Sequence, residues 1–278
     1  AREEFAAAVR RHLARLAEED PDRLRGIVSV HAEAIKAMAV WDEELFWLFI
    51  DYLSFETSEG VITGAALKRA GEAVWVHSVP KFKQLKPIFM AQGRLLICTG
   101  YASDQELIQA MAERFGLPFQ PLHEEEMFDT LEEITAAERQ RGERLLRAAD
   151  EALLPFECQA KLRRFLPADL PVLYAMSDEV QYLRQLQTAQ ENSNGIFSGA
   201  LASMLSGVEE RPLATLYLNL NSPIVRRLVT TTDPELLASM ARVLYVQALL
   251  AGGHPLRGGE LKTMNQALLD LLEHTAGA

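Results

Sequence analysis

The sequence predicts a chain of the α+β / α/β class: helices with a small three-stranded parallel α/β sheet, then a mixed α/β C-terminal domain ending in dimerising helices. Three observations predict it. The short apolar runs "AVWVHS", "RLLICTG" and "LPFQPL" alternate with the helical patterns "PKFKQLKPIFMAQG" and "SDQELIQAMAERFG", the pattern of a parallel sheet with crossover helices. The segment "LYLNLNSPIVRRLV" alternates at Leu216, Leu218 and Leu220, breaks at Asn221-Ser222-Pro223, and resumes at helical spacing through Ile224, Val225, Leu228 and Val229. Two strongly apolar helical patterns then close the sequence.

In order along the chain, Phe5, Val9, Leu13 and Leu16 mark one face of a first helix. Asp20-Pro21 opens a second, with Pro suited to a first turn. The aromatics Phe46, Trp47, Phe49 and Tyr52 in "DEELFWLFIDYL" read as core. "SFETSEGVITG" reads as a loop of turn residues, and the strand–helix alternation follows, with helices ending at Gly93 and Gly116. Ser103 followed by Glu106 reads as a capping box. The acidic "HEEEMFDTLEE" marks a boundary, giving domains 1–132 and 133–278. The second domain continues with the helix "TAAERQRGERLLRAADEALL", strands in "FECQAKLRRF" and "LPVLYAMS", and a helical stretch broken at "NSNG". Asp233 caps the helix "PELLASMARVLYVQALLAGG", Pro234 fills its first turn and Gly252 is its stop.

Composition excludes several function classes. Of 278 residues, 49% are hydrophobic and 24% charged, the balance of a globular chain. Thirty-nine acids against 28 bases give a net charge of -11, which argues against nonspecific nucleic-acid binding and against attraction to anionic membranes. No run of about 18 apolar residues suggests a membrane span, and no signal-peptide pattern is present. Cys98 and Cys158 form no CxxC pair, so they read as reduced structural thiols of a cytoplasmic protein and not as zinc ligands. The opening "AREEF", without Met, reads as part of a longer protein.

Residues suited to chemistry are sparse. "TGYASDQE" joins a strand to a helix but has one glycine and no Lys-Ser or Lys-Thr pair, so it lacks both phosphate-loop fingerprints. The acids at Glu124, Glu125 and Glu126 read as a solvated face. His31 has no partner at i+4 and reads as structural. No catalytic, cofactor or metal residue is expected in this chain. The apolar surfaces carry more. Ile196, Phe197, Leu201, Met204 and Leu205 share one face of a short, weakly polar helix, a surface suited to apolar polypeptide. The last two helices carry Val246, Leu249, Leu250, Leu261, Met264, Leu268, Leu271 and Leu272 with no later segment to cover them. A second copy, pairing two helices from each chain into a four-helix bundle, is the economical cover.

The segments "LYLNLNSPIVRRL", "DPELLASMARVLYVQALLAGG" and "PLRGGELKTMNQALLDLL" resemble the C-terminal domain of the heat shock protein 90 chaperone family, with Leu244, Tyr245, Ala248, Leu249 and Leu250 matching its "LLY-x-x-ALL" motif. "IVSVHAEAIKAMAVWDEELFWLFIDYLSFETSEG" and the sheet at 74–122 are similar to the middle domain of divergent bacterial members. The resemblance implies that 1–132 is the C-terminal part of a middle domain and 133–278 a dimerisation domain. It implies a homodimer that binds unfolded or partly folded client proteins, with ATP and Mg bound by a separate N-terminal domain. The family's middle-domain arginine that reaches the ATP γ-phosphate is matched superficially by Arg2. Counting back from "VHAEAIKAM" places Arg2 inside the helix, about three turns late, so it is assigned no such role. Two alternatives remain: a stand-alone α/β enzyme using Ser78, Thr99, Tyr101, Ser103 or Asp104, with His77 and His123 as spare histidines, and a plain dimerisation scaffold.

Overall fold

The computed structural model describes residues 2–123, 131–176 and 214–276, which fall into two compact units, Ala1–Leu122 and His123–Ala278. The mixed α/β class read from the sequence is the class observed.

The first unit opens with α1 (Arg2–Glu19), α2 (Pro21–Trp41) and α3 (Glu43–Phe49). Asp20 caps α2 by accepting from the Arg23 amide at 3.1 Å, and Pro21 fills the first turn. The helix leaves α geometry at His31 (φ -117°, ψ 21°). Then come β1 (Ser54–Thr57), β2 (Gly60–Thr63), α4 (Gly64–Leu67), β3 (Ala73–Val76), α5 (Val79–Ala91), β4 (Leu95–Cys98), α6 (Asp104–Phe115) and β5 (Phe119–Pro121). The sheet order is β2-β1-β4-β3-β5. β3 runs parallel to both β4 and β5, as the alternation predicts. Two strands are added to that expectation. "SFETSEGVITG" is a hairpin, with β1 antiparallel to both β2 and β4. Its arms are four residues each, too short for alternation to stand out, and the turn places Gly60 at φ 109°, open only to glycine. Phe46, Phe55, Phe82, Phe89, Leu96 and Ile97 are fully buried in this unit.

Ser103 corrects a second expectation. It has φ 68° and makes no side-chain capping bond to α6. The polar contact at this helix start is instead an ion pair of the next residue: Asp104 Oδ1 lies 2.7 Å from Lys36 Nζ of α2. The two residues are 1% and 5% exposed, and the ammonium also sits 5.0 Å from the Phe55 ring centroid. Burial pushes the Asp104 carboxyl above its ordinary value, while Lys36 pulls it back.

The second unit contains α7 (Ala136–Leu153), a 3₁₀ turn (Leu154–Phe156), β6 (Cys158–Arg163), β7 (Val172–Met176), β8 (Ala214–Asn219), α8 (Pro223–Thr230), α9 (Pro234–Gly252) and α10 (Gly258–Ala276). The central β8 pairs parallel with β6 and antiparallel with β7. One core joins Leu145 and Leu153 of α7, Ala160, Leu162, Tyr174, Leu216 and Leu218 of the sheet, and Leu237, Leu244 and Leu249 of α9.

A reciprocal capping box starts α7. The Thr135 hydroxyl accepts from the Glu138 amide at 3.3 Å, and the Glu138 carboxylate accepts from the Thr135 amide at 2.9 Å. The Thr135 backbone amide, then the Arg164 guanidinium, hold Glu138 down to about 2 from an ordinary 4.5. A carboxyl lowered on folding adds stability above its unfolded value, and that stability is lost as pH falls towards the folded value. NMR titration of Glu138 is therefore expected to give a midpoint near 2, and Glu138→Gln to flatten the stability curve between pH 4.5 and 2. A midpoint near 4.5 would contradict this capping geometry.

Candidate functional site

The surface built by α9 and α10 rests on the strand–turn–helix segment 214–230. Leu216, Leu218 and Leu220 point into the core, as their alternation requires. Asn219, at the end of β8, is fully buried and organises the loop between β6 and β7. Its Nδ2 lies 3.0, 3.3 and 2.9 Å from the carbonyl oxygens of Phe165, Pro167 and Leu170. Its Oδ1 accepts from the amides of Phe165 and Asn221 at 3.2 and 3.0 Å. One amide side chain thus satisfies backbone groups that no sheet ladder reaches. α8 follows with Pro223 in its first turn, Val225 and Leu228 buried, and Arg226 and Arg227 exposed.

Asp233 caps α9, accepting from the amides of Glu235 and Leu236 at 2.9 and 3.2 Å. The stop is one residue later than the sequence suggests: Gly253, at φ 69°, is the left-handed cap. α9 is long and apolar enough to span a membrane by composition alone, yet half of that window is buried inside its own unit. Val246 and Leu249 are fully buried within the chain, Leu249 between the sheet and the neighbouring helices of one core. Their expected place on a dimer interface is therefore corrected: the chain covers both itself.

Buried polar contacts fix α10 against α9. Glu260 is fully buried and accepts from the Tyr245 hydroxyl at 2.8 Å and from the Arg257 amide at 2.8 Å. The Arg257 guanidinium adds contacts at 3.3 and 3.2 Å. The Tyr245 ring stacks on Phe156 and meets Tyr174 edge-on. Towards the other end, Ser239 Oγ donates to Asp270 at 3.4 Å, and His274 lies 3.7 Å from Asp233.

With that side of α10 turned inward, its leucines emerge on another. Leu261, Leu268, Leu269 and Leu272 are 48, 42, 53 and 64% exposed. Met264 and Leu271 are half-buried at the edge of this strip, and Met264 packs on the core. On α9 the outward row is Leu236, Val243 and Leu250, spaced by sevens; the first two are half-buried and Leu250 is 54% exposed. Leu236 and Leu271 line one shared cleft beside Ser239 and Asp270, so the rows are neighbours. The sequence missed Leu236, Val243 and Leu269. A heptad count on α9 offers Leu236-Val243-Leu250, but a helix apolar all round gives no contrast with which to choose that row.

The expected client residues Ile196, Phe197, Leu201, Met204 and Leu205 lie outside the described residues. The candidates for an enzyme site mostly carry structural contacts. Ser78 caps α5, accepting from the Lys81 amide at 3.3 Å, and Thr99 Oγ1 donates to the Val76 carbonyl at 3.2 Å. The Tyr101 hydroxyl donates to Glu56 at 2.7 Å, which pushes it up to about 12. His77 Nδ1 lies 3.0 Å from the Thr99 carbonyl. Burial pushes the Cys98 thiol up, disfavouring the nucleophilic thiolate. Among the described residues no group of three His, Cys, Asp or Glu side chains is arranged to hold a metal ion.

No protein-family model matches the chain, and no curated protein matches it.

Proposed function

We propose that the chain is the dimerising, client-handling part of an ATP-driven chaperone of the heat shock protein 90 type, working in the cytoplasm as a homodimer joined through α9 and α10. The observation that carries this reading is the pair of outward leucine rows. Leu250, Leu261, Leu268 and Leu269 are each more than two-fifths exposed on adjacent helices whose other sides are buried. Apolar rows at heptad spacing on paired helices are what a four-helix bundle buries between two copies. The motif resemblance at 216–272 supports the chaperone part of the reading. Under it, ATP and Mg belong to a separate domain of the parent protein, and this chain supplies the permanent joint and part of the surface for unfolded clients. Two copies joined here would present two client surfaces across one cleft, raising apparent affinity through effective concentration.

The test separates the joint from the client surface. Leu261→Glu/Leu268→Glu is expected to halve the molar mass in solution while leaving the far-ultraviolet circular dichroism unchanged. Phe197→Ser/Met204→Ser is expected to leave the molar mass alone and reduce suppression of aggregation of a heat-denatured substrate protein. A leucine variant that keeps the parent mass would remove the joint, and an unaffected aggregation assay would remove the client surface.

A further inference from the structure

We infer that α10 pairs antiparallel with α10 of a second copy, so that Lys262 of each chain faces Glu273 of the other. The inference rests on the proposed homodimer and assigns its orientation. Lys262 and Glu273 are both exposed, and neither enters an ion pair among the described residues. They are separated by three helical turns and about 20° of rotation, so both flank the leucine strip on the same side. By rotation about the helix axis that side is opposite the one on which Met264 and Leu271 sit half-buried, and at its far end Glu273 also borders the cleft that Leu271 shares with Arg242 of α9.

Helix geometry then selects the orientation. In an antiparallel pair, the same flank of each helix meets across the seam; in a parallel pair, opposite flanks meet, and flanking charges report which arrangement holds. Antiparallel pairing brings Lys262 against Glu273 of the second copy, twice by symmetry. Parallel pairing would set both charges against the flank of Met264 and Leu271, where the acid Glu260 is fully buried and already bonded to Tyr245 and Arg257. The leucines agree on register. A two-fold axis near residue 267 that aligns Lys262 with Glu273 also sets Leu261 close to Leu272 of the second copy and brings the two Leu268 side chains together.

The test is a charge swap read by sedimentation equilibrium at low ionic strength. Lys262→Glu and Glu273→Lys are each expected to raise the dimer dissociation constant about tenfold, since each places like charges together twice. The double variant is expected to return within about twofold of the parent, and added salt to shrink these differences. A second readout needs no affinity. Under mild oxidation, Leu268→Cys is expected to give disulfide-linked dimers. Leu261→Cys is expected to give none, because its two copies would lie about 18 Å apart along the seam. Single reversals without effect, a swap that does not restore, or linkage at both positions would overturn the antiparallel pairing while leaving the dimer standing. A parent chain that is monomeric throughout would overturn the dimer itself, and this pairing with it.

Discussion

Asn219→Asp is expected to cost the second unit about 4 kcal/mol at neutral pH, a large share of the stability of a single domain. The substitution keeps shape and volume. It keeps the oxygen that accepts from the Phe165 and Asn221 amides. What it removes is the donor facing the carbonyl oxygens of Phe165, Leu170 and Pro167. In its place comes a carboxylate oxygen, negatively charged and buried among three acceptors, the arrangement that burial penalises most. The sign with pH follows. The carboxyl would be raised in the folded state, because only its protonated form can donate. The variant should therefore regain stability as pH falls through that raised value. Urea unfolding followed by circular dichroism at neutral and acidic pH measures both effects. A loss below about 1 kcal/mol would mean that Asn219 does not hold the loop between β6 and β7.

Lys36→Met is expected to destabilise the first unit by about 3–5 kcal/mol, the usual result of removing one partner from a buried ion pair. Asp104, 1% exposed, would lose the ammonium at 2.7 Å that favours its charged form, so burial would push its carboxyl up further and leave it costly to ionise at neutral pH. Lys36→Met/Asp104→Leu is expected to recover most of the loss, since the desolvated charge leaves with its partner. The surroundings suit that repair: Phe55, Leu107 and Ile108 are buried in the same core. In the parent chain, burial raises the Asp104 carboxyl above its unfolded value. Its contribution is accordingly most favourable below the unfolded value and is lost as pH rises through the folded one. Thermal unfolding of both variants tests the account. A double variant no more stable than Lys36→Met would mean that the pair acts by packing and not through its charges.

The features legible in the sequence are those whose cause is local. The parallel order of β3, β4 and β5 follows from strand–helix alternation, and the helix starts at Asp20-Pro21 and Asp233-Pro234 follow from an acid placed before Pro. The missed features have distant causes. Nothing near Asp104 announces a lysine 68 positions earlier, so Ser103 reads as a cap when the polar contact at that helix start belongs to its neighbour. Asn219 looks like one polar residue in a strand, because its partners lie about fifty positions upstream. The hairpin at 54–63 was hidden by its short arms. On α9 the apolar character was legible but the outward row was not. Packing against α7, β7 and α10 decides which leucines remain, and it buries Val246 and Leu249 while leaving Leu250 outside.

Two copies of this chain are proposed to join through α9 and α10, and the molar mass in solution decides whether they do. Multi-angle light scattering at micromolar concentration is expected to give twice 31.0 kDa for the parent chain. Leu261→Glu/Leu268→Glu is expected to give 31.0 kDa with its helical content retained. A parent chain that elutes at 31.0 kDa would contradict the claim, and the exposed leucine rows would then be a surface for something other than a second copy.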